Sequence, residues 1–141
     1  MRDGYITVID RHFAGGDEEP GCGELKTACR IGAKDGAIII EYTEILDGEN
    51  DCRCVITLTE KRVTMIRSGV FRTTIIFEDR KRNSCAYHTP YGEILIGVYT
   101  NALFSDMSES GGTLNLAYTL DNSGDLISEN ELKISVELKE D

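Results

Sequence analysis

A chain of 141 residues has room for one hydrophobic core and no separate catalytic partner domain, so a single domain over residues 1–141 is expected. Its 40% hydrophobic and 28% charged residues are ordinary for a globular protein, and a formal net charge of -10 argues against binding nucleic acid or an anionic membrane. No apolar run approaches the roughly 18 residues of a helical membrane span. The polar opening from Met1 to His12 lacks the apolar centre of a secretion signal, so a cytoplasmic address is expected.

In chain order, Tyr5 to His12 and Glu24 to Ile31 read as strands, and the Gly- and Glu-rich residues 13–21 between them read as a mobile loop. Lys34, Asp35 and Gly36 form a turn before the apolar run Ala37 to Leu46; a second polar turn precedes the strand Cys52 to Thr59. Val63 to Ser68, Thr73 to Phe77 and Ser84 to His88 follow. Pro90 fixes its own φ and cannot donate to a sheet, while Gly92 can take a positive φ, so Thr89 to Gly92 is a tight link into the strand Glu93 to Thr100. Asn101 to Ser110, with Ala102, Leu103 and Met107, is the one plausible helical turn. Thr113 to Leu120 and Asn130 to Leu138 alternate apolar and polar residues with period two, joined by hairpin-forming Asp121 to Asp125. The second of these should put Leu132, Ile134, Val136 and Leu138 inside. Even spacing, short turns and little helix predict an all-β closed antiparallel barrel of about eight main strands, with a β-sandwich as the alternative.

Five cysteines, Cys22, Cys29, Cys52, Cys54 and Cys85, make an odd set at no disulfide-framework spacing, so reduced thiols are expected. Cys52 and Cys54 share a strand face, but no second close pair completes a metal site; they read as small half-buried apolar groups, and no metal or cofactor is expected. His88 beside the Pro90 turn is the residue to check for haem ligation, which a lone histidine makes remote. There is no phosphate loop, nucleophile elbow or HExxH motif, and His12 and His88 are the only histidines, so nothing marks an enzyme. Charge is unevenly placed: residues 53–82 hold eight bases and three acids, flanked by two acidic segments. Cross-strand pairing with acidic neighbours is the plain reading of that block.

The order Gly36, Tyr42-Thr43-Glu44, Val63 to Gly69, Tyr87-His88-Thr89-Pro90-Tyr91-Gly92 with Ile96-Gly97-Val98-Tyr99-Thr100, then Gly111-Gly112, Leu116 to Leu120 and Asn130 to Ile134, resembles the YwiB-like family of small uncharacterised bacterial proteins. The Thr-Pro-Tyr-Gly turn with Ile-Gly-Val-x-Thr is its most specific element. The resemblance implies a calycin-like, lipocalin-type barrel and transfers no activity. Ile38-Ile39-Ile40 departs from the more aromatic pattern of that family's corresponding strand.

A barrel of this size either fills its interior with side chains or holds one small ligand. Ile38, Ile40, Tyr42 and Glu44 share one strand face, as do Val63, Met65 and Arg67, and Leu114, Leu116, Tyr118 and Leu120. The expected ligand-binding set is Tyr42, Glu44, Arg67, Tyr91 and Tyr118, which would hold a small amphipathic molecule with its carboxylate or phosphate on the arginine. Alternatively Arg67 and Glu44 pair with each other and the tyrosines fill space. A different class of function, an interaction or self-association module using the charge-segregated outer surface, would make the protein a homodimer where the carrier could be a monomer.

Overall fold

The computed structural model describes residues 1–14, 21–46, 50–69 and 72–140, of which residues 14, 45, 46, 50, 88 and 89 are described by their backbone alone. They form ten strands: β1 (Arg2–Ala14), β2 (Gly21–Lys34), β3 (Ala37–Leu46), β4 (Asn50–Leu58), β5 (Arg62–Ser68), β6 (Arg72–Glu78), β7 (Arg82–Thr89), β8 (Gly92–Ser105), β9 (Gly111–Asn122) and β10 (Asp125–Leu138). All belong to one antiparallel sheet in the order β6-β5-β4-β3-β2-β1-β10-β9-β8-β7. That order is the chain order written around a circle, because β1 pairs with β10 from Gly4↔Leu138 to Ala14↔Ser128. The molecule is therefore a nearly closed up-and-down barrel, and a two-sheet sandwich is excluded by the single continuous ladder.

Period-two alternation places the core. Ile6, Ile31, Ile40, Ile56, Leu114 and Ile134 are fully buried, each on the inward face of its strand. Leu132, Ile134 and Val136 lie inside as expected, and Leu138 packs partly buried against the same core. Among the described residues no helix is present, and so none is long and apolar enough to cross a membrane.

Two expectations are corrected in number or type. The strands number ten, not about eight, because every one of the ten segments read as strand-like joins the sheet, the short β5 and β6, seven residues each, included. Asn101 to Ser110 is not a helical turn. A bulge between Thr100 and Ala102 resets the register, and Ala102 to Ser105 continue to pair with β9. The ladder opposite Leu114 and Leu116 offers backbone hydrogen bonds that one isolated helical turn cannot match. Of the expected loop at 13–21, Phe13 and Ala14 belong to β1 and Gly21 to β2; residues 15–20 lie outside the described residues. The β7–β8 link turns at Gly92 with φ +123°, closed by the pair Thr89↔Gly92.

The circle is interrupted at one place. β6 and β7 lie side by side without a ladder, and the chain instead bonds across to β8: Arg80 N–H donates to Thr100 O at 2.8 Å and Thr100 N–H to Lys81 O at 3.1 Å. Higher up the seam, the Cys85 thiol donates to the Thr74 carbonyl at 3.0 Å.

Candidate functional site

Up-and-down topology gathers at one end of the barrel the end of β1, the start of β2, the end of β3, the start of β4, the end of β5 and the β7–β8 and β9–β10 turns. At this mouth the wall parts. The β2–β3 ladder runs only from Lys34↔Ala37 to Cys29↔Tyr42, so Gly21 to Ala28 pair with β1 alone and Thr43 to Leu46 with β4 alone. Between the parted walls lies a cavity of about 360 Å³ with an apolar floor of Val8, Leu25, Met65, Ile75, Phe77 and Leu132. Its polar side chains are Asp10, Tyr42, Glu44, Arg67, Tyr87 and Tyr118, with Glu24 at its border.

Strand parity explains the gathering. Tyr42 and Glu44 continue the inward face of Ile38 and Ile40; Arg67 continues that of Val63 and Met65; Tyr118 continues that of Leu114 and Leu116. Arg67 Nη2 donates to Glu44 Oε2 at 2.5 Å, with the two side chains 39% and 24% exposed. Burial works against the arginine's charge, but Glu44 and the neighbouring Cys54 and Cys52 sulfurs outweigh it, and its pKa is raised. Burial also lifts the Tyr42 hydroxyl far above its ordinary range, helped by Cys54, and pushes Tyr118 up to about 12, with Tyr87 and Asp10 adding to the shift. These phenols are neutral hydrogen-bonding groups at physiological pH. Phe77 and Tyr118 stack tilted at 4.9 Å between centroids.

Asp10 enters the cavity over a glycine. It pairs with Gly23 across the β1–β2 ladder, and a Cβ on Gly23 would collide with Asp10 Oδ1. One step further along β1, His12 lies over Gly21 in the same way, its Nδ1 3.9 Å from Asp10 Oδ2.

Four of the five expected residues, Tyr42, Glu44, Arg67 and Tyr118, line this one cavity. Tyr91 does not. It is fully exposed at the tip of the β7–β8 turn, because the turn carries it beyond the ladder. Asp10 and Tyr87 were missed, although the alternations Ile6-Val8-Asp10 and Cys85-Tyr87 on β1 and β7 carry the same parity signal that found Tyr42. The cysteines form no disulfide, and Cys52 and Cys54 are buried on the inner face, with Cys54 paired in register to Arg67. Among the described residues no three His, Cys, Asp or Glu side chains converge as metal ligands. The side chain of His88 lies outside the described residues. A larger hollow of about 510 Å³ runs between Tyr5, Ala28, Glu41 and Arg53, but four of its five charged side chains pair with one another, Arg53 with Glu41 at 3.5 Å and Arg30 with Asp3 at 3.9 Å, which leaves Lys139 at its edge.

Fold and site together define a small antiparallel β-barrel with a mixed polar and apolar cavity at one mouth. Residues 6–134 match the family described as "Domain of unknown function (DUF1934)", and the chain belongs to that family. Its fold is similar to the crystal structure of ywiB protein from Bacillus subtilis, with a TM-score of 0.86 at 19% sequence identity over 99% of this chain and 93% of that one. A comparison with the curated proteins finds no match.

Proposed function

We propose that this protein is a cytosolic binding protein, a carrier or sensor, that holds one small amphipathic molecule in the mouth of its barrel. The observation that carries this reading is the convergence of side chains from β1, β3, β5, β7 and β9 on a single cavity whose floor is apolar and whose upper wall is polar. A side-chain-filled barrel would have no need to part its wall between β2 and β3 above Cys29 and Tyr42. The outer-surface reading has less support. Of the eight bases in residues 53–82, Arg53, Arg67, Lys81 and Arg82 pair with Glu41, Glu44, Glu78 and Asp121, which leaves a weaker one-signed face to steer a partner.

The test is native mass spectrometry of protein purified from its own cells, set against the denatured mass. A bound small molecule is expected, and it should be lost in Leu25→Trp, whose indole fills the cavity while the circular dichroism spectrum remains that of a β-protein. A clean apo mass for the unmodified chain would count against a carrier.

A further inference from the structure

We propose that the polar end of the ligand is a cation, a protonated amine or quaternary ammonium group, seated between the Asp10 carboxylate and the rings of Tyr118 and Tyr87. This rests on the binding reading above and decides which chemical class the site takes.

Charge accounting within the cavity carries the argument. Arg67 and Glu44 neutralise each other. Glu24 borders the cavity, but its carboxylate lies with Lys26 at 3.4 Å, and both side chains are more than half exposed. Asp10 is left as the lining carboxylate with no lysine or arginine within 4 Å among the described residues; its one charged-pair neighbour is His12. An incoming carboxylate or phosphate would place a second uncompensated negative charge beside Asp10, or would have to draw Arg67 from Glu44 and strand that carboxylate where it is 24% exposed. A cation brings the cavity to neutrality without breaking any pair.

The surroundings suit such a group. The Asp10 side chain is 49% exposed, so water reaches it until a ligand arrives, and Gly23 beneath it gives the carboxylate its seat. Its field reaches the ring it would share a cation with, since Asp10 is among the groups that raise the Tyr118 hydroxyl. Ring faces attract ammonium groups, and Tyr118, Tyr87 and Phe77 lie together at this wall. The apolar floor then takes the alkyl or aryl body, and the chain's net charge of -10 draws cations toward the molecule.

The experiment uses the full chain and three probes of equal length, octylammonium, octanol and octanoate, by calorimetry at neutral pH. Octylammonium is expected to bind roughly tenfold or more tighter than octanoate, with octanol between them. Asp10→Asn, isosteric and on an exposed side chain, should weaken octylammonium about tenfold while changing octanol less than about twofold. Octanoate or octanol binding tightest overturns the cation assignment and leaves the binding function standing. Octylammonium binding tightest but indifferent to Asp10→Asn overturns the assigned seat. Failure of all three probes to bind overturns the binding function itself, and the cation with it.

Discussion

Arg67 and Glu44 show how much and how little a single side chain reveals. Their inward parity is readable from alternation along β5 and β3, but their mutual contact joins residues 23 apart, and no spacing rule announces it. Because the arginine is 39% exposed, solvent screens the pair, and a double-mutant cycle with Arg67→Ala and Glu44→Ala should yield a coupling of about 1 kcal/mol by urea denaturation. Arg67→Ala alone should cost about 1–2 kcal/mol, since it leaves Glu44 partly buried and unpaired. A coupling indistinguishable from zero would mean the pair contributes nothing beyond packing. The cysteines were more legible, because small thiols at strand-interior positions belong in a core whatever their partners. Cys22 is exposed while Cys29, Cys52, Cys54 and Cys85 are buried. A thiol reagent should therefore modify one cysteine quickly in the native protein and all five after denaturation.

At the scale of strands, local patterns succeed where pairing is between chain neighbours and fail where it is not. The alternation in β9 and β10 announced both strands and their hairpin, whereas Ala102, Leu103 and Met107 suggested a helix because the bulge that lets β8 follow β9 to Ser105 depends on contacts outside the segment. The seam between β6 and β7 was equally invisible, being defined by a ladder that is missing. It should be the barrel's weakest line, since the backbone groups along it lack the cooperative bonding of the other nine junctions. Cys85→Ala removes the thiol that donates to Thr74. Amide exchange in β6 and β7 should then accelerate clearly more than in β9 and β10, with a global cost of about 1 kcal/mol. Uniform acceleration across the sheet would show that the seam does not open on its own.

For the whole molecule, closure was readable and its details were not: regular strand spacing predicts a barrel, but the β1–β10 junction that completes it joins segments more than a hundred residues apart. The cavity was half legible, its wall residues found by parity and Asp10 passed over because one acid in an apolar alternation carries no special mark. Burial inside this closed shell sets the pH range of the fold. Cys29, 4% exposed, is pushed up to about 11 by burial and by Asp3, and Tyr118 to about 12. A thiol whose pKa is higher in the folded than in the unfolded chain gives stability that is fully present below the unfolded value near 9.0 and lost as pH rises toward 11. The melting temperature should hold steady up to about pH 9 and then fall, and Cys29→Ala should flatten the first part of that fall; an unchanged slope would place its origin elsewhere. The pairing of β1 with β10 also bears on how the protein is made. Translation at roughly 5–20 residues per second keeps β1 without one of its two neighbours for on the order of ten seconds, with an unpaired edge exposed to every other nascent chain. Each copy of this barrel thus begins its life dependent on whatever shields that edge, since its first strand is completed only by its last.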